Sequence, residues 1–142
     1  MAALNPYLNF DGNCEEAFNF YKSVFGGDFT NLTRFSDVPK EYQASPSDGQ
    51  LVMHVSLPIS NGSVLMGSDR PPYMGAVTKG DSCYLSITTT SEEETQKLFN
   101  GLSAGGKVLM PLDKTFWGAY FGMFSDKYGV LWMVNYDYNQ PG

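Results

Sequence analysis

Two stretches of the chain carry apolar residues at helical spacing. In the first, Ala17, Phe20, Tyr21 and Val24 fall at i, i+3, i+4 and i+7, one face of a helix. Asn13 stands where a cap belongs, Glu16 follows three residues on, and Gly26-Gly27 marks the stop. In the second, Thr95, Leu98, Phe99 and Leu102 repeat the spacing behind Ser91 and Glu94, and Gly105-Gly106 ends the run. Adding 78 to Asn13, Glu16, Phe20, Tyr21 and Gly27 gives Ser91, Glu94, Leu98, Phe99 and Gly105. Caps, faces and stops in one register point to an internal duplication.

The apolar runs around each helix read as strands. Pro6–Phe10 precedes the first helix; Phe29–Ser36, Gln50–Leu57 and Ser63–Ser68 follow it, the last two joined by the turn signal Ser60-Asn61-Gly62. Ser82–Thr88 precedes the second; Lys107–Leu112, Ala119–Phe124 and Val130–Tyr136 follow it. Each half is therefore strand, helix, strand, strand, strand, and the predicted class is α+β: two βαβββ modules, 1–69 and 82–138, in a single domain. Residues 70–81 form the linker, and Asp37–Asp48 is an insertion that reads as a lid. In each module the helix covers one face of a mixed, curved sheet. The other face needs a cover, and two such sheets facing each other enclose a cleft.

Composition narrows the function classes. The chain has 142 residues, 42% hydrophobic and 17% charged, as a globular domain should. A net charge of −6 leaves no basic stripe for phosphates, which excludes nucleic acid as a partner. No apolar run approaches a membrane span, and MAALNPYLNF lacks the basic-then-apolar order of an export signal, so a cytoplasmic address is expected. Cys14 and Cys83 are far apart, form no CxxC, and read as free thiols. No phosphate-cradling glycine loop and no nucleotide fingerprint occurs.

Three segments carry a resemblance: YLNFDGNCEEAFNFYKSVFGG near the start, MHVSL with NGSVLMGSD in the middle, and FWGAYFG with SDKYGVLWMVN towards the end. On these the chain resembles the vicinal oxygen chelate superfamily of glyoxalase I, bleomycin-resistance proteins and extradiol dioxygenases, and within it the PhnB-like branch. The resemblance implies a ligand cleft between the modules, commonly in a homodimer. The exposed aromatics Tyr7, Tyr73 and Tyr136 agree with a homodimer.

Some members of that superfamily hold a divalent metal on His or Glu from the first, fourth, fifth and eighth strands. Here the matching places carry Pro6, Met66, Ser82 (or Tyr84) and Met133. Proline offers no ligand atom and a thioether is a poor ligand for Zn, Mg or Mn, so neither a metal nor another cofactor is expected.

His54, the sole histidine, is either a structural residue bonded to a backbone or hydroxyl partner or an acid–base group. Asp69 either caps the turn that follows it or accepts a bond from a ligand at a cavity mouth. Alternation along the last strand puts Leu131, Met133 and Asn135 on one face and Val130, Trp132 and Val134 on the other. Met133 and Asn135 then look into the cleft while Trp132 packs behind the sheet. Trp117 is placed to wall a pocket, and Asp126 to brace the turn before Gly129. Glu15-Glu16 and Glu92-Glu93-Glu94 fall in first helical turns and read as structural.

The expected ligand-binding set is therefore His54, Met66, Asp69, Trp117, Met133 and Asn135, with no catalytic residue assigned. The reading favoured is a metal-free binder of a small organic molecule, with no reaction assigned. The alternatives are a metal-dependent lyase, isomerase or dioxygenase, and a protein that sequesters a flat, bulky drug. A methyltransferase reading fails for want of a loop to bind the methyl donor.

Overall fold

A computed structural model of the chain describes residues 2, 4–37, 49–60, 62–71 and 75–139. Residues 38–48 of the expected lid, Asn61 and Tyr73 lie outside them. The chain divides into two compact units, Met1–Thr78 and Lys79–Gly142.

In the first unit β1 (Tyr7–Phe10), α1 (Cys14–Phe25), β2 (Asn31–Arg34), β3 (Val52–Ser60) and β4 (Ser63–Asp69) form a four-stranded sheet in the order β1-β4-β3-β2. In the second, β5 (Leu85–Thr88), α2 (Glu92–Ser103), β6 (Lys107–Lys114), β7 (Ala119–Ser125) and β8 (Leu131–Asp137) repeat it in the order β5-β8-β7-β6. β1 runs parallel to β4 and β5 to β8, and the remaining neighbours are antiparallel, so both sheets are mixed and open. The predicted βαβββ pair is the observed α+β fold. β2 is shorter than the expected Phe29–Ser36: it starts at Asn31, and Phe35–Asp37 turns into a short 3₁₀ helix at its end.

The duplication holds at the level of register. Val55↔Gly67, Ser56↔Met66 and Leu57↔Leu65 in the first sheet correspond to Gly122↔Val134, Met123↔Met133 and Phe124↔Trp132 in the second, each residue shifted by 67. The helices keep the shift of 78: 14–25 becomes 92–103. The difference falls between helix and β3, where the first unit carries the inserted segment.

One glycine per sheet sets how its helix docks. A Cβ on Gly67 would lie 2.6 Å from the Phe18 ring, and one on Gly122 would lie 2.6 Å from the Phe99 ring. Each glycine is the seat of a helix phenylalanine. This seat rotates α1 away from the expected stripe. Cys14, Ala17, Phe18 and Tyr21 are buried, whereas Phe20 and Val24 are half-buried. In α2 the expected Thr95, Leu98, Phe99 and Leu102 are the buried residues.

The caps differ too. Ser91 Oγ accepts the Glu94 N–H at 3.1 Å and Glu94 Oε1 accepts the Thr90 N–H at 2.9 Å, a capping box displaced by one residue. Asn13 makes no side-chain cap. Asp69, at the end of β4, does that work: its Oδ1 accepts the Cys14 N–H at 2.9 Å while its Oδ2 accepts the Val52 N–H at 2.8 Å. A carboxylate at a helix N-terminus also faces the positive end of the helix dipole. Nearby, burial chiefly, with Asp69 second, pushes the Cys14 thiol up.

Candidate functional site

Gly67 and Gly122 identify the helix-covered faces, so alternation assigns the opposite ones. In the first sheet that open face carries Tyr7, His54, Ser56 and Met66, with Tyr7 and Ser56 each paired directly with Met66. His54 sits in a hydroxyl setting: Nδ1 lies 3.3 Å from Tyr7 Oη and Nε2 lies 2.8 Å from Ser56 Oγ. The predicted hydroxyl partner is real, and there are two. Tyr7 is 45% exposed, so its phenol is reachable from solvent.

Asp69 stands apart from His54 and Met66. It belongs to the α1 side, is 2% exposed, and spends both oxygens on backbone N–H groups. It caps the helix before it in space, 55 residues earlier in sequence, rather than the turn after it.

In the second sheet Met133 pairs with Ser86 and Met123, and Asn135 with Thr88 and Phe121, all on the open face. Trp132 lies on the α2 side, 2% exposed, and its Nε1–H donates to Asp126 Oδ2 at 2.8 Å. Asp126 Oδ1 accepts the N–H groups of Tyr128 and Val130, which braces the turn as expected. Of the face expected to be core, Trp132 and Val134 are buried, and Val130, just before β8, is half-buried.

Trp117 occupies the turn between β6 and β7. Thr115 clamps this turn, its hydroxyl bonding both the N–H and the carbonyl of Ala119. The Tyr138 N–H donates to the Gly118 carbonyl at 3.0 Å, tying the turn to the end of β8. Gly118 has φ +90°, a conformation that side chains rarely adopt, so glycine suits this bend. On the turn Phe116 is 97% and Trp117 54% exposed. Their rings meet edge to face at 5.0 Å, and Trp117 meets Phe121 at 6.0 Å.

Beside them is a hollow of about 410 Å³ lined by Met110, Pro111, Phe116, Trp117 and Phe121 together with Asp113, Lys114 and Thr115. Pro111 has no N–H, and the β6–β7 register slips on either side of Met110. The bulged strand opens this hollow. Met110, Asp113 and Phe121 were not singled out in the sequence; the signal available was the Pro inside a strand run beside FWG.

The residues at and beside the places of a superfamily metal can be compared with what such a metal needs. Pro6 and Ser82 precede their strands, and the partners of Met66 and Met133 on β1 and β5 are Tyr7 and Ser86. A phenol, two thioethers and one alcohol do not make a site for a divalent ion. Among the described residues no three of His, Cys, Asp and Glu gather where they could hold one. The residues present do not fit the metal.

The chain belongs to the Glyoxalase/Bleomycin resistance protein/Dioxygenase superfamily, whose family model matches residues 3–134. Within it the chain is PhnB-like. It is 36% identical to protein YjdN of Escherichia coli K12 over 97% of each chain. Two solved structures share its fold. Protein PA1353 from Pseudomonas aeruginosa has a TM-score of 0.86 at 39% identity, covering 96% of this chain and 98% of that one. The PhnB protein from Bacillus cereus has a TM-score of 0.74 at 29% identity, covering 95% and 99%. No helix among the described residues is long and apolar enough to cross a membrane.

Proposed function

We propose that the chain binds a small organic molecule on the open face of its second sheet, in the hollow walled by Trp117 and Phe121, without a divalent metal. The observation that carries this reading is the hollow itself. Its volume of about 410 Å³ lies in the range of small-ligand sites, and three aromatic rings and one thioether make up half of its lining. The turn that bears Trp117 is held by Thr115 and Gly118, so binding orders little that is not already ordered. Met133 and Asn135 extend the same face inward through the rung Phe121↔Asn135. The metal-free part rests on the donor chemistry of Tyr7, Met66, Ser86 and Met133.

The test uses the two indole N–H signals of the protein, since Trp117 is exposed and Trp132 is buried. Quinoline added at pH 8 should shift the Trp117 signal and leave that of Trp132 in place. EDTA should change nothing, and elemental analysis after dialysis should find well below one metal per chain. A tightly held ion near one per chain, with binding lost on chelation, overturns the reading and favours a metal-dependent enzyme.

A further inference from the structure

We propose that the ligand of this hollow is an organic cation, a planar ring or compact ammonium group bearing a permanent positive charge. The inference rests on the small-molecule reading above and adds the charge class to it. The hollow brings together what holds such cations: aromatic rings that offer negative faces, and one carboxylate. Asp113 pairs directly with Phe121, so its side chain shares the open face with that ring. Its Oδ1 accepts the Lys114 N–H at 2.8 Å. Among the described residues no side chain bonds to its Oδ2.

The neighbouring cation is turned elsewhere. Lys114 pairs with Tyr120, on the α2 side, and its Nζ lies 5.9 Å from the centroid of the Tyr138 ring. Tyr138 in turn donates its O–H to Glu92. Lys114 also lines the hollow, but its ammonium is directed towards the Tyr138 ring, while the Asp113 carboxylate shares the open face with Phe121. Phe116 and Trp117 stay largely exposed beside Phe121, which leaves ring surface available to a third group. The chain as a whole carries −6, which raises the local concentration of any cationic ligand.

The charge is isolated by comparing N-methylquinolinium with quinoline at pH 8, two rings of nearly the same shape that differ by one positive charge. Binding is followed through the Trp117 indole N–H, assigned with Trp117→Phe. N-methylquinolinium should bind about tenfold tighter than quinoline, weaken as salt is added, and lose most of that advantage in Asp113→Asn. Asp113 is exposed, so the variant should fold as the parent does, which its melting curve verifies. Equal affinity for the two rings, or an advantage that survives in Asp113→Asn, overturns the cation assignment and leaves the small-molecule reading standing. If neither ring moves the Trp117 signal, both fall.

Discussion

Replacing Trp132 by phenylalanine separates what its ring body contributes from what its N–H contributes. The side chain is 2% exposed on the α2 side of β8, and Nε1–H donates at 2.8 Å to Asp126, itself 3% exposed. Phenylalanine keeps most of the apolar body but removes the donor. Asp126 would then retain the backbone N–H groups of Tyr128 and Val130 on Oδ1 and lose its indole partner on Oδ2. A hydrogen bond to a buried charge is worth about 1.5–3 kcal/mol, and a partial void adds to that, so Trp132→Phe should cost about 2–4 kcal/mol. Trp132→Ala removes the whole core ring and should cost at least about 3–5 kcal/mol. Native stabilities of about 5–15 kcal/mol make both losses easy to read in urea melts followed by far-ultraviolet circular dichroism. In a cycle with Asp126→Asn the two changes should couple by about 1–3 kcal/mol. A Trp132→Phe protein within about 0.5 kcal/mol of the parent, with no coupling, would refute the claim that this indole is a structural donor.

Two further outcomes follow from the first unit. Asp69→Ala strands the Cys14 and Val52 N–H groups at about 1–3 kcal/mol each, and Asp69→Asn, which keeps one acceptor, should lose roughly half as much. A urea-melt loss below about 1 kcal/mol for the alanine variant would mean that water or Asn13 replaces the cap. The Glu15 carboxylate accepts two bonds from Arg34, at 3.0 and 2.7 Å, and these hold its pKa below the ordinary glutamate value. A lowered folded pKa gives stability that is present above the unfolded value and lost as pH falls through the folded one. Glu15→Gln should therefore destabilise by under about 1 kcal/mol above roughly pH 5, since Glu15 is half exposed, and by nothing near pH 2. A cost independent of pH would point to lost packing instead.

The elements were legible because their signals are local. Helical spacing, a capping serine and paired glycines placed α2 correctly, and alternation put Met133 and Trp132 on opposite faces before any register was known. What failed was the non-local part. Alternation gives a strand two faces but does not say which residue of β1 pairs with Met66; the register makes it Tyr7. Asn13 has the right chemistry and place for a cap, yet a carboxylate from β4 takes the helix N–H first. The stripe of α1 is chosen by the space above Gly67, a property of a strand that sequence proximity does not tie to the helix. Trp117 was recognised from its turn residues. Asp113 was missed because its partner, Phe121, is set by a register that two bulges shift.

The glycine that seats each helix phenylalanine lies on a different strand in the two units, although the rung is the same. Val55 faces Gly67 in one, and Gly122 faces Val134 in the other. The two halves are therefore no longer interchangeable parts. A crossover that put β8 beside β3 would set valine against valine under Phe18, where no room exists. The reciprocal product would set glycine against glycine and leave a gap. Gene conversion that copied one strand of a rung without its partner would therefore lose the seat of the helix phenylalanine. Each half keeps its own face chemistry: the His54 imidazole between two hydroxyls on one, the Trp117 and Phe121 rings on the other.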